Sequence, residues 1–422
     1  MDSHATIVGA QLRAAREAAG VSLAALATQI HYSKSVLAYY ETGQRTPTSD
    51  VVACYEKRFG LIQDAIAALL NLGKADVERR SFLHVGYSTA FAASVLRPSW
   101  LERASLVPYK ASGVRHVGKA DVAAVRDVMV VFSHIDQRRG GGHGRSAVVQ
   151  YLTNEVTSCL KGSFSCEAVR RDMFSAAAEL AYLVGWMAFD NDEHAAAQRY
   201  FATSTQLAAE AGDAPLAGHV LRAMAHQAVD LGHPEQGLRI AEASIDGDRY
   251  KVACPRERAL LKVVHAKALS AAGRTAESAK ALLAAEQELA AAADSDHEPA
   301  RVFFFSEASL AHETACALRD AGDLIRAADQ FQFSVDKRKA TAFTRTHAVT
   351  LGYLGAVQAR GGELEQACTT WTTALDTMEG IQSGRTRRVA HDIYTTVAPY
   401  RHIAGVGEIR ERAADYLSAN RK

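Results

Sequence analysis

Five turn residues, Asn191, Gly232, Gly273, Gly322 and Gly362, punctuate the chain at separations of 41, 41, 49 and 40 residues. A near-constant period of this size restricts the chain to repeat architectures more firmly than any other feature it carries. Five residues beyond each turn stand Ala196, Gly237, Ser278, Ala327 and Ala367, all small; nine beyond stand Tyr200, Ala241, Leu282, Phe331 and Trp371, mostly bulky. Small residues return twelve beyond, at Thr203, Ser244, Ala285, Ser334 and Ala374, and seven before, at Val184, Ala225, Ala266, Ala315 and Gly355. Small side chains at fixed helical offsets let two antiparallel helices approach closely, and the bulky one fills the gap between neighbouring hairpins. The expected fold is all-α, with a helical-hairpin array over residues 119–422. Residues 119–162 read as a degenerate first hairpin and 386–417 as a capping one. Within the former, "RRGGGHGR" (138–145) follows a helix rather than a strand and lacks the Lys-Ser/Thr of a phosphate loop, so it reads as a flexible connection.

The first 73 residues follow a different rule. Five short helices fit between Thr6 and Leu72. The first stops at Gly20, a C-cap residue, and the second is capped by Ser22 with Leu23, Leu26, Ala27 and Ile30 on one face. After the turn at His31 and Tyr32, Ser33 caps a third helix that turns Leu37 and Tyr40 inward and leaves Lys34, Ser35, Ala38 and Tyr39 outward. Two short helices around a tight turn, the second with a small polar patch near its N-terminus, match the shape of a DNA major groove. Residues 74–118 are expected to form a helical linker.

Composition limits the alternatives. Lys and Arg total 48 against 47 Asp and Glu, so no global charge draws the chain to nucleic acid, and any basic surface must be local. Within residues 1–72, Arg13, Arg16, Lys34, Arg45, Lys57 and Arg58 are balanced by Asp2, Glu17, Glu41, Asp50, Glu56 and Asp64. One copy should therefore bind DNA weakly, and a homodimer is expected. The six cysteines form no CxxC pair, and "HETAC" at His312 puts Cys316 where a zinc helix needs histidine, so neither a disulfide framework nor a metal site is expected. No apolar run is long enough to span a membrane, and "ERRSFLHVGYSTAFAAS" (78–94), which imitates an export signal, lies well inside the chain. A cytoplasmic protein without cofactor or catalytic residues is expected.

The stretch "LRAAREAAGVSLAALATQIHYSKSVLAYYETGQRTP" resembles the Xre/Cro/phage-repressor helix-turn-helix family. The resemblance implies that Lys34, Ser35, Ala38 and Tyr39 face base edges, that Gln44 and Arg45, with the N-terminus of the second helix, hold phosphates, and that Arg16 pairs with Glu41; Ser33 belongs to the same DNA-binding set. Two positions depart from the family: Leu23 replaces a phosphate-gripping Gln, and His31 stands where Gly is favoured. The periodic segments "AGDLIRAADQFQFSV" and "GGELEQACTTWTTAL" resemble tetratricopeptide repeats, although the period is longer.

In such arrays the positions thirteen, ten, six and three residues before each turn line the concave side. Here they are Ala178, Ala181, Gly185 and Ala188; His219, Arg222, His226 and Val229; Leu260, Val263, Lys267 and Ser270; Ser309, His312, Cys316 and Arg319; and Val349, Gly352, Ala356 and Ala359. None is acidic. His219, Arg222, His226, Lys267, Ser309, His312 and Arg319 then form a basic groove for an anionic small molecule, a peptide or an acidic protein. The combined layout resembles both the peptide-pheromone receptors of Gram-positive bacteria and the actinobacterial Xre-type regulators of differentiation and secondary metabolism. The first group clamps its peptide with concave Asn residues, which these positions lack; phrases such as "RRSFL" and "ELAYLVGWMAFDNDEHAAAQRYF" favour the second. The resemblance implies a transcription regulator that reads a double-stranded operator under control of the array. The other class open to the sequence is a scaffold that docks an acidic partner, with DNA contact secondary.

Overall fold

The computed structural model describes residues 12–13, 16–17, 20–45, 48, 51, 54–55, 66, 68–70, 72–73, 115–293, 298–403 and 405–420. The segment 78–94, most of the expected linker, and much of the helices flanking the N-terminal pair lie outside them. Two compact units divide the chain at Ala68 and Leu69. Eighteen α-helices are present among the described residues, and their strands are limited to one two-residue parallel pair, β1 (His116–Val117) with β2 (Ser163–Phe164).

In the first unit, α1 (Leu23–Gln29) and α2 (Lys34–Glu41) are both N-capped as expected: Ser22 Oγ accepts from Ala25 N–H and Ser33 Oγ from Val36 N–H, each at 3.2 Å. Each cap satisfies one of the amides that a helix start leaves without a partner. His31 takes φ 57°, the left-handed conformation that glycine adopts freely, and Gly20 takes φ 66°. Leu26, Ala27, Leu37 and Tyr40 form one apolar core with Leu12, Val51 and Tyr55.

The second unit is built from hairpins. Helix α3 (Lys119–Arg139) precedes α4 (Arg145–Tyr151), which passes through a π-turn at Leu152–Val156 into α5 (Thr157–Leu160). Then follow the pairs α6 (Glu167–Asp190) with α7 (His194–Ala211), and α8 (Ala214–Asp230) with α9 (Pro234–Ser244). A short α10 (Asp248–Lys251) leads to α11 (Pro255–Ala271) with α12 (Thr275–Ala290), α13 (Glu307–Asp320) with α14 (Leu324–Lys337), and α15 (Thr344–Arg360) with α16 (Leu364–Thr377). The last pair is α17 (Gly384–Thr396) with α18 (Val406–Ala419).

Gly232, Gly273, Gly322 and Gly362 all sit at the hairpin turns with positive φ. In the first hairpin that conformation belongs to Asp192 (φ 63°) rather than Asn191, so the equivalent turn position is one residue later. The physical check is the close packing seven before and nine beyond the turn. In the corrected register these become Gly185 and Phe201, and a Cβ on Gly185 would lie 2.8 Å from the Phe201 ring. The same pair in the fifth hairpin is Gly355 with Trp371, where the distance would be 2.4 Å, and the indole N–H donates to Gly352 C=O at 3.2 Å. Twelve beyond, Ser204 and Ser334 reach across to the carbonyls of Ala178 and Ala308 at 2.7 and 2.6 Å. Buried polar groups so satisfied add no desolvation penalty to a tight helix contact.

The array closes on itself. Arg345 at the start of α15 donates to Asp136 of α3 at 2.9 Å and to Asp190 of α6 at 2.5 Å. Next to it Gln382 N–H donates to Arg139 C=O at 2.8 Å, and Arg387 of α17 reaches Asp192 at 3.0 Å. The glycine run 140–142 is the packing surface of this seam and not a flexible connection: Gly142 N–H donates to Gln382 C=O, and Gly141 N–H donates to the Asp190 carboxylate at 2.9 Å. A Cβ on Gly141 would sit 2.2 Å from Met187 C=O. Backbone cannot give way as a side chain can, so Gly141→Ala should destabilise the protein by about 1–3 kcal/mol, as overpacking does, readable as a lowered urea midpoint.

Candidate functional site

Two sites emerge, one in each unit. In the first, Ser33, Lys34, Ser35 and Tyr39 are exposed on or beside α2, with Ala38 partly so between them; Tyr39 is 50% exposed, unusual for a large aromatic. The opposite face of the helix carries the buried Leu37 and Tyr40. Gln44 and Arg45 are exposed just beyond the helix, where Gly43 (φ 72°) turns the chain and Arg45 N–H donates to Tyr39 C=O at 3.1 Å. The helix is held from beneath by a buried polar cluster. Arg16 grips both oxygens of Glu41 at 2.7 Å each, and Tyr55 O–H donates to Glu41 at 2.7 Å. Burial and the Glu41 carboxylate push the Tyr55 phenol far above its usual range, so it keeps the proton that it donates to Glu41.

The second site is a cavity of about 950 Å³, including its part open to solvent, on the concave side of the hairpin array. Arg222, His226, Leu260, Ser309 and His312, all expected in the groove, line it. The corrected register of the first hairpin adds Glu179, Tyr182 and Trp186 in place of the alanines and glycine expected there. The expectation of an acid-free basic groove is therefore overturned: Asp136, Glu179 and Glu313 belong to the wall. His219, Lys267 and Arg319 are not lining residues. His219 is completely buried behind Arg222, Lys267 is occupied by Asp230 at 2.8 Å and Glu313 at 3.7 Å, and Arg319 pairs with its neighbour Asp320 at 2.8 Å over the Tyr353 ring.

Hydrogen bonds fix several protonation states. Arg222 Nη2 donates to His219 Nε2 at 2.9 Å, so that nitrogen accepts and Nδ1–H donates to Glu257 at 3.0 Å. The ring is therefore neutral, consistent with burial and Arg222 pushing its pKa down to about 4. Thr350 spends its hydroxyl proton on Thr346 C=O at 2.8 Å, so His312 Nδ1–H donates to Thr350 at 2.9 Å. Burial holds His312 neutral, well below the ordinary histidine range. Glu257 and Glu313 are held down to about 2, against the cost of their burial, chiefly by Arg301 and Lys267 respectively.

Sequence reasoning missed the segment that fills the middle of this site. The long 49-residue interval is an insertion before α13, and its Arg301, Phe303, Phe304 and Phe305 all line the cavity. Arg301 donates to Glu257 at 2.7 and 3.0 Å and to Glu179 at 3.0 Å, pinning the insertion across two hairpins. Phe304 lies edge-on to His219 with centroids 6.4 Å apart, and Phe303 stacks on Phe343 at 6.0 Å. The irregular interval next to three consecutive phenylalanines was the available signal. Arg338, Arg345 and Arg385 were missed because they fall outside the four concave offsets, on the end of α14 and the starts of α15 and α17.

An exposed, N-capped second helix after a four-residue turn, anchored to a small all-α core, defines a helix-turn-helix DNA-binding domain. A helix-turn-helix domain family model matches residues 7–79. No curated protein and no solved structure matches the chain. Among the described residues no helix is long and apolar enough to cross a membrane, and no cluster of side chains could hold a metal ion.

Proposed function

We propose that the chain is a sequence-specific transcription regulator of the Xre type. A tetratricopeptide-like array at residues 119–422 responds to a ligand or partner and governs operator binding by a domain at residues 1–73. The observation that carries this reading is α2, whose outer face offers Lys34, Ser35 and Tyr39 to solvent while Arg16, Glu41 and Tyr55 fix it from below. In this reading α2 enters the major groove, its N-terminal side chains meet base edges, and Gln44 and Arg45 position the backbone. Balanced charge in the domain argues for a homodimer on a two-fold operator, because one module supplies few phosphate contacts. The array's kinship with actinobacterial regulators of differentiation or secondary metabolism belongs to the same proposal.

The test is genome-wide recovery of DNA by the purified protein at moderate salt, beside the Lys34→Ala/Tyr39→Ala double variant. Discrete sites are expected, with affinity lost by roughly 10- to 100-fold in the variant at about 1–3 kcal/mol for a good base contact. Equal recovery by both proteins would refute the assignment of α2 and favour a protein-docking scaffold.

A further inference from the structure

The cations in the cavity wall and just behind it are of two kinds. Arg301, Arg345 and Lys267 each hold at least two carboxylates, through the bonds described above. Arg222, Arg338 and Arg385 have no carboxylate in ion-pair distance among the described residues, although all three are more than nine-tenths buried. Arg338 donates only to Ala308 C=O and Ser334 Oγ, at 3.0 and 3.2 Å. The Arg385 guanidinium makes no hydrogen bond to any described residue, and the Nε atoms of Arg222, Arg338 and Arg385, like that of Arg345, are unsatisfied. A buried cation with no carboxylate in direct contact is costly, and a site that retains one has room for a group of opposite charge. Burial and the neighbouring Arg385 and Arg345 push Arg338 down to about 10 against the pull of Glu313, whereas nearby Tyr353, Asp230, Asp190 and Glu313 hold Arg385 up against its burial.

Beside these lies an aromatic wall. The Arg222 guanidinium stands 5.8, 5.6 and 5.8 Å from the ring centroids of Tyr182, Trp186 and Phe304, and Phe303 and Leu260 continue the apolar lining. We propose that the cavity binds a small organic acid with an aromatic or apolar body, its carboxylate taken by Arg338 and Arg385 and its body laid against Trp186, Phe303 and Phe304. A single negative charge fits better than several, because the surplus carboxylates around Arg301, Arg345 and Lys267 already offset much of the positive charge nearby. A planar fork of N–H donors also suits a carboxylate in two-point contact. The proposal names the ligand class for the regulator proposed above and rests on that reading for its biological meaning, but its test involves no DNA.

Isothermal titration of the full-length protein with phenylacetate and indole-3-acetate, with their amides, and with inorganic phosphate reads the site directly. Saturable binding of at least one acid is expected, with its amide at least tenfold weaker and phosphate not competing. Arg338→Met and Arg385→Met should each weaken the acid at least tenfold without lowering the thermal midpoint of the ligand-free protein. Equal binding of acid and amide, binding of phosphate alone, or no saturable binding of either acid would overturn the proposal. So would a large loss of ligand-free stability in both Met variants, because the guanidiniums would then be structural. An acid that binds while operator recovery is unchanged upholds this site and instead refutes ligand control of DNA binding.

Discussion

Replacing Arg345 by Met should cost about 3–5 kcal/mol of stability, the largest effect expected of any single substitution in the second unit. Arg345 is 1% exposed and is the common partner of Asp136 and Asp190, themselves 1% and 0% exposed. Its removal strands two carboxylates in a dry interior where neither has another cation in ion-pair distance among the described residues. In the native protein burial holds Asp136 up at about 6, whereas Arg345, then Arg385 and the Gly141 amide, bring Asp190 below its ordinary value against its burial. Without the guanidinium both carboxyls move up. A carboxyl whose folded pKa exceeds its unfolded one binds its proton more tightly when folded, so lowering the pH favours the fold. The deficit of the variant should accordingly be greatest at pH 8 and shrink toward pH 5. Replacing all three residues together, as Asp136→Leu/Arg345→Met/Asp190→Leu, should cost much less than Arg345→Met alone, since an apolar trio leaves no unpaired charge. Urea melts at both pH values decide the matter; a pH-independent deficit would mean that packing, not charge, is what Arg345 supplies.

Arg16→Met should cost the first unit about 3 kcal/mol. The Glu41 side chain is 3% exposed and would keep only the Tyr55 hydroxyl as a partner among the described residues, in place of a two-point guanidinium. A domain of about 70 residues has on the order of 5 kcal/mol to lose. Amide exchange over residues 20–45 should therefore quicken by roughly 100-fold, while residues 115–420 stay as protected as before. Glu41→Gln should be milder, because the amide oxygen can still accept from Arg16, which also keeps its bond to Val21 C=O at 2.9 Å. Operator recovery should fall with Arg16→Met even though Arg16 faces no base. Unchanged exchange would show that the Arg16–Glu41 pair contributes little to the domain.

The elements that local chemistry dictates were legible. Ser22 and Ser33 are caps, and the four turn glycines mark the places where backbone needs positive φ. Asn191 misled because Asn tolerates the same conformation, and its neighbour Asp192 adopted it instead. One residue of slip rotated the first concave face by about 100° of helix, exchanging Glu179, Tyr182 and Trp186 for Ala178, Ala181 and Gly185. The seam was hidden for a different reason. Arg345 and Asp136 are 209 residues apart, and a periodic pattern reports what each hairpin does to its neighbours, never that the last returns to the first. The charge balance of the cavity followed the seam into obscurity, because Arg345 and Arg385 reach it only once the ends meet.

That seam also restricts how such a chain can change over evolution. A linear solenoid gains or loses whole repeats at little cost, since each unit touches only its neighbours. Here an additional hairpin would carry Arg345 away from Asp136 and Gln382 away from Arg139, so duplication of a repeat would be paid for at the closure. Diversity is left to lengthening within a repeat, and the stretch bearing Phe303 and Phe304 has the form such a change would take: an insertion directed inward, altering what the cavity accepts while leaving the number of hairpins fixed.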